Sequence, residues 1–194
     1  MKREVWRGRV WLLWLLGWWV PGWLAADPVA LEEVMRQLAA VPSVEATFQE
    51  QKTLAILREP LLSSGRLYYR APNYLRKQTL HPQPEEYEVD EHWLMIETPS
   101  DGRRQFDLNG YPQLRPFVEA IRATLAGDQA TLERYYRLEF QGTPAAWSLQ
   151  LNPREPEFAH FLSAIIIRGR VAWIDSVETL EANGDRSLLT VHPR

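Results

Sequence analysis

The 194-residue sequence contains no cysteine, and this absence excludes disulfides, cysteine nucleophiles and thiolate metal sites. It also excludes the lipid-anchored lipoproteins, which need a cysteine directly after their export signal. The fold must therefore rest on its hydrophobic core alone. A chain of this length is long enough to bury one such core.

An excess of charge of one sign is also missing. The 22 basic and 25 acidic residues give a formal net charge of −3, and the two signs are interspersed without a basic stripe. Proteins that bind nucleic acids concentrate positive charge on one face, so we expect no nucleic-acid partner. No apolar run reaches the roughly 20 residues that a membrane-spanning helix needs.

The longest apolar run, "VWLLWLLGWWV" at 10–20, lies close to the start of the chain. Basic residues precede it, Pro21 and Gly22 end it, and small residues before Asp27 permit cleavage after Ala26. This layout predicts a secretory signal peptide at 1–26, one domain at 27–194, and export to the periplasm. An uncleaved membrane anchor is the alternative.

Motifs of the common enzyme classes are missing as well. The four histidines, His81, His92, His160 and His192, do not have the spacing of metal ligands. There is no G-x-S-x-G, no S-x-x-K and no phosphate-binding glycine loop. We therefore expect no cofactor, no metal and no enzymatic activity. A hydrolase or transferase whose catalytic groups come from distant parts of the chain remains an alternative.

Clear periodicities are what the sequence does have. Leu31, Val34, Met35 and Leu38 recur at helical spacing, and alternation of period two begins at Ser43. Segment 54–62 is predicted to be an extended loop or broken edge strand, 153–162 to contain helical turns, and a short helix to follow 114–125. Further strands are predicted at 65–71, 74–80, 85–90, 92–97, 103–108, 136–142, 146–152, 164–168, 171–181 and 186–192.

These elements predict an α+β fold. About ten antiparallel strands would form one sheet, which twist curls into a half-barrel. The apolar stripes of 31–38 and 114–125 are the available cover for its concave face.

Three segments resemble the periplasmic outer-membrane lipoprotein carriers, the LolA-like proteins. They are "LAAVPSVEATFQEQK", "SGRLYYRAPNYLRKQT" and "EEYEVDEHWLMIETP", all within 38–99. The resemblance is to a divergent branch of that family. It implies a half-barrel with helices over an apolar cavity that accepts the acyl chains of a lipoprotein. Such a carrier, expected here as a monomer, would take its cargo from an inner-membrane donor protein and deliver it to an outer-membrane acceptor protein.

Two positions depart from the family pattern. Ala71 stands directly before the strand-turn proline, where the carriers have an arginine thought to hold the lid closed, and Arg70 lies on the opposite face of the pleat. Lys77 stands where the carriers place a tryptophan. Both departures favour a different cargo, such as another lipid, or a different closing mechanism. We predict that Arg70 and Lys77 lie at the lid or rim.

The apolar cavity wall is predicted to combine strand and helix residues. The candidates are Phe48, Leu67, Tyr69, Leu75, Trp93, Met95, Phe106 and Leu108 from the strands, with Val34, Leu38, Phe117 and Ile121 from the helices. The same residues could instead form a sealed core. In that case the protein would be a non-catalytic envelope module that binds a protein partner.

Overall fold

The computed structural model describes residues 28–194, so the predicted signal peptide lies outside the described residues. The described helices are α1 (Pro28–Ala39), α2 (Arg115–Leu125), α3 (Gln129–Tyr135) and α4 (Pro156–Ala159). The described strands are β1 (Ser43–Thr53), β2 (Leu61–Arg70), β3 (Tyr74–His81), β4 (Glu85–Asp90), β5 (Trp93–Thr98), β6 (Gly102–Asp107), β7 (Tyr136–Thr143), β8 (Ala146–Pro153), β9 (Leu162–Arg170), β10 (Trp173–Glu181) and β11 (Arg186–Pro193).

All eleven of these strands belong to one antiparallel sheet, in the order β6-β5-β4-β3-β2-β1-β11-β10-β9-β8-β7. The first and last strands pair at its centre, where Phe48 lies opposite Val191. The sheet is curved and does not close, because β6 and β7 remain as its two edges. The predicted α+β half-barrel of about ten antiparallel strands is therefore confirmed.

Strand β2 shows how pairing extends an element beyond its local signal. It begins at Leu61, earlier than predicted, because Leu61 and Leu62 pair with Lys52 and Gln51 of β1. The segment expected to be irregular is therefore shorter than 54–62. Turn residues in the sequence show where the local preference for extended backbone ends. Hydrogen bonding to the partner strand, however, determines where the strand itself ends.

Helix α1 seals one half of the concave face. Its stripe of Val34, Met35 and Leu38 is buried in the main core, together with Leu149 of β8 and Ile167 of β9. Gly127, in the turn between α2 and α3, has φ of 65°, and a Cβ there would lie 2.1 Å from the carbonyl oxygen of Met35. The absence of a side chain therefore lets that turn pack closely on α1.

Helix α2 reaches across the sheet to its other half. There Leu114, which precedes the helix, and Val118 pack on a smaller cluster formed by Val89, Leu94 and Leu108. On another face of the same helix, Ala120 and Ala123 belong to the main core. Helix α2 thus rests on two apolar clusters and spans the central strands between them.

Candidate functional site: an apolar cavity beneath helix α2

A cavity of about 260 Å³ lies between α2 and the central strands of the concave face. Three side chains of α2 line it, namely Phe117, Ile121 and Leu125. They are four residues apart, so they form one stripe along the helix. The sheet lines the cavity on both sides of the β1–β11 pair, with Leu67 and Leu75 on one side and Ile174 and Val177 of β10 on the other.

Side-chain exposure distinguishes this cavity from the sealed core. Val34, Leu149 and Leu151 of the main core are 0 % exposed. Leu67 and Leu189, on the same face of the sheet, are only half-buried. The covering helix therefore does not fill the space above the central strands. Phe117 keeps 37 % of its surface exposed, so part of the lining remains open to solvent.

Two polar contacts hold α2 over the cavity. Arg122 donates a hydrogen bond from Nη1 to the backbone oxygen of Glu91 in the β4–β5 turn, over 2.5 Å. The same guanidinium pairs with Glu119, which is 4 % exposed. The Tyr136 hydroxyl of β7 donates to the backbone oxygen of Pro116 over 2.8 Å. Burial raises the pKa of Tyr136, so its hydroxyl stays a donor at neutral pH.

An ion pair forms the polar part of the lining. The Lys77 Nζ of β3 lies 2.5 Å from Oε2 of Glu50 on β1, and 5.0 Å from the centre of the Phe48 ring. Ser187 Oγ of β11 donates to Glu50 Oε1 over 2.6 Å, and Ser63 Oγ of β2 donates to Oε2 over 3.3 Å. Four strands therefore meet at this one carboxylate.

Glu50 is ionised in this environment. Burial alone would raise the pKa of its carboxyl group, but the Lys77 ammonium and the donors Ser187 and Ser63 outweigh burial. Its pKa is held below the ordinary value of 4.5. The pair therefore contributes one negative and one positive charge to the cavity at neutral pH.

Tyr69 supplies a further polar group to the lining. Its side chain is 5 % exposed and its hydroxyl has no hydrogen-bond partner among the described residues. Burial raises its pKa, which keeps the hydroxyl protonated. A buried hydroxyl without a partner is unusual, because burial removes its hydrogen bonds to water.

The structure brings six of the fourteen predicted site residues together in the cavity lining. Leu67, Tyr69, Leu75, Phe117 and Ile121 all line the cavity. Lys77 lines it as well, within the concave face rather than at the rim. Binding of cargo by these residues stays a prediction.

Other predicted wall residues lie in packed clusters beside the cavity. Val34 and Leu38 are in the main core, and Phe106 and Leu108 belong to the smaller cluster near β4–β6. Phe48 is 1 % exposed and lies beneath the Lys77 ammonium.

Three of the predicted residues lie away from the cavity wall. Trp93 and Met95 alternate with Leu94 and Ile96 on β5, and it is the second pair that packs in the smaller cluster. Trp93 is 40 % exposed. Both sets are apolar, so alternation alone could not decide which of them faces inward. Arg70, predicted at the rim, is exposed and its guanidinium lies 4.9 Å from the centre of the Tyr74 ring.

Sequence reasoning missed two parts of the lining. Val177, Leu189 and Val191 come from the last two strands, and they reach the cavity because β11 pairs with β1. No local pattern reports that pairing. Glu50 did leave a signal, because it continues the inward-facing series of Ala46 and Phe48 with a charged residue.

The amino-acid sequence matches the family model described as "Outer membrane lipoprotein carrier protein LolA-like" over residues 24–191. The chain therefore belongs to this family, as the resemblance predicted. Comparison with functionally curated proteins gives no match.

The chain is similar to several solved structures at low sequence identity and with TM-scores below 0.5. A LolA superfamily protein from Nitrosomonas europaea is 9 % identical, with a TM-score of 0.44 over 88 % of this chain and 94 % of that one. A DUF1329 family protein from Desulfovibrio piger is 10 % identical, with a TM-score of 0.48 over 83 % and 88 %. A putative outer membrane lipoprotein-sorting protein domain from Vibrio parahaemolyticus is 10 % identical, with a TM-score of 0.44 over 84 % and 90 %.

Two structural features are absent from residues 28–194. No helix in that range is long and apolar enough to cross a membrane. No group of three or more His, Asp or Glu side chains in that range could hold a metal ion.

Proposed function

We propose that this protein holds acyl chains of a lipoprotein or lipid in the cavity beneath α2 and carries them through the periplasm. Transfer would run from the inner membrane towards the outer membrane, with the chain acting as a monomer and without catalysis. The observation that carries the proposal is the unfilled, largely apolar space between α2 and the concave face. Membership of a family described as lipoprotein carriers supports the same conclusion.

Burial of hydrocarbon supplies the driving force. Each methylene group removed from water contributes about 0.8 kcal/mol, so ten of them contribute about 8 kcal/mol before the chain is ordered. The lining suits a mobile tail, because leucine, isoleucine and valine side chains offer no polar partner that would fix its position. At about 260 Å³, the cavity is slightly smaller than the roughly 300–1,000 Å³ of most ligand pockets. We therefore propose that α2 shifts outward when a long chain enters.

Delivery requires contact with a donor protein and an acceptor protein. The described surface offers an exposed apolar segment where β1 connects to β2: Ile56 in the connection is 89 % exposed, and Leu62 at the start of β2 is 67 % exposed. Scattered apolar residues are ordinary at a protein surface, whereas a local group is typical of interaction sites. We propose this segment as the contact for those partner proteins.

Uptake of a fluorescent acyl ester tests the proposed cavity. Leu75→Glu places a carboxylate in the lining, and we expect uptake to be lost because an ionised group in an apolar site is strongly unfavourable. Met95→Glu is the matched control, since Met95 lies on the other face of the sheet. There its Sδ atom is 2.6 Å from Nε of Arg103. That variant should take up the probe normally.

Circular dichroism would show that both variants retain the fold. Equal uptake by the Leu75→Glu variant and the wild type would contradict the proposal. A bare protein in native mass spectra of envelope extracts, combined with no uptake in vitro, would favour the protein-binding module instead.

A further inference from the structure

We infer that the cavity selects acyl chains whose head group is uncharged and able to form hydrogen bonds, such as an acylglycerol, over free fatty acids and plain hydrocarbons. The inference rests on the proposed function, because it names the class of chain that the same cavity takes. Three features of the lining carry it: a charge pair without net charge, unused donors on that pair, and an unpartnered hydroxyl.

The charged groups of the lining cancel one another. Glu50 and Lys77 are its ionised side chains, and they are paired at 2.5 Å. Lys52, the next residue on the same face of β1, lies 3.4 Å from Glu181 and supplies no free cation. On the neighbouring β4, Tyr87 is neutral, because burial together with Glu85 and Glu50 raises its pKa.

A fatty-acid carboxylate fits this arrangement poorly. The Lys77 ammonium already faces one carboxylate, so a second one would leave a net negative charge next to Glu50 in a largely apolar space. Like charges at close range and loss of hydration both disfavour that state. A free fatty acid would therefore have to bind in its protonated form or keep its head group outside the cavity.

A neutral ester meets the same groups favourably. An ammonium has three N–H donors, and Lys77 uses one of them on Glu50. The remaining donors can reach a carbonyl oxygen without disturbing the ion pair. An ester, an amide or an alcohol supplies such an oxygen and adds no charge.

The Tyr69 hydroxyl points to the same class of ligand. The Tyr69 side chain belongs to the cavity lining, and its hydroxyl is a buried donor without a partner among the described residues. A carbonyl or hydroxyl oxygen of the ligand would satisfy it, whereas a plain hydrocarbon would leave it unpaired. The lining thus disfavours both extremes, the ionised head group and the alkane.

Competition against a bound fluorescent acyl ester tests this selectivity. The competitors are 1-monopalmitoylglycerol, palmitate and hexadecane, each titrated against the purified full chain at neutral pH. We expect monopalmitoylglycerol to compete best. Glu50→Gln leaves Lys77 without its carboxylate, so the preference should shift towards palmitate by about tenfold, as expected of one charge-assisted hydrogen bond.

Two further variants separate selectivity from folding. Tyr69→Phe should weaken monopalmitoylglycerol binding about threefold to tenfold, the range of one neutral hydrogen bond, and leave hexadecane unchanged. Met95→Glu adds a charge on the other face of the sheet, outside the cavity, so the ratio of palmitate to monopalmitoylglycerol should not change.

The outcomes that overturn the inference differ from those that overturn the proposed function. If palmitate matches monopalmitoylglycerol in the wild type and Glu50→Gln leaves the ratio unchanged, the ion pair is only a link between β1 and β3. The carrier proposal would then still stand. If no acyl compound binds at all, the proposed function fails and the inference fails with it.

Discussion

The concave face has two regions that differ in how their helices cover them. Beneath α1, side chains such as Leu149 and Leu151 are 0 % exposed and belong to one packed core. Beneath the middle of α2, Leu67 and Leu189 are only half-buried and face a cavity. The sheet is continuous and apolar in both regions, so the filling depends on the helix above it. An apolar face of a sheet therefore indicates that it must be covered. It does not indicate whether protein side chains or a ligand cover it.

Truncation of one leucine in each region should give the largest difference in the free energy of unfolding. Leu151→Ala empties a fully packed site, and we expect the free energy of unfolding to fall by about 2–5 kcal/mol. Leu67→Ala only enlarges an existing space and should cost less, because part of that side chain is already exposed. Urea denaturation of both variants measures the difference. Equal losses would mean that the cavity is as well packed as the core.

Release of α2 is the next effect in size. Arg122→Ala removes the hydrogen bond to the β4–β5 turn and leaves Glu119 with Arg115, at 3.8 Å, as its one ionic partner within residues 28–194. Loss of a charged hydrogen bond costs about 1.5–3 kcal/mol. We therefore expect faster amide exchange in α2 and quicker entry of an acyl probe. Amide exchange in α1 serves as the internal control and should not change.

Filling the cavity should remove the contrast between the two regions. Ile121→Trp adds volume to the α2 stripe where it borders the open space, so binding of an acyl ester should fall while the fold persists. Stability should change by less than the roughly 1–3 kcal/mol that overpacking costs in a filled core. Ala120→Trp, in the packed core on the same helix, is the opposite case and should destabilise the protein. Undiminished ester binding by Ile121→Trp would show that this side chain does not border the ligand.

The smallest expected effect is on the stability of the fold at acidic pH. The pKa of Glu50 is lower in the folded protein than its ordinary value of 4.5, so the unfolded chain binds the proton more tightly. The pair therefore stabilises the fold fully above that value, and this contribution is lost as the pH falls through the pKa of the folded protein. Unfolding measured between pH 7 and pH 3 should show a weaker acid dependence for Glu50→Gln than for the wild type. A parallel loss in both proteins would contradict the ionised state assigned to Glu50.

Much of the fold was predictable from local patterns. Alternation and turn signals located the strands, because side chains on a half-buried sheet repeat every two residues. The cavity was less predictable. Leu67 and Leu75 were expected in its wall, and they are there, yet Trp93 and Met95 were expected with them and lie on the other face of β5. Where both faces of a strand are apolar, the register of strand pairing decides which face points into the cavity. That register depends on the partner strands.

The sequence by itself determined the absence of cross-links, the order and type of the elements, and the family to which the chain belongs. These properties are local or cumulative along the chain. Only the tertiary structure decided that β11 returns to pair with β1, that Ser187 and Lys77 meet at Glu50, and that α2 stands over an unfilled space. The Lys77–Glu50 contact joins residues that are 27 positions apart in the sequence, and the Ser187–Glu50 contact joins residues that are 137 apart. Such contacts depend on how the whole sheet curls, and no short sequence segment predicts that curvature.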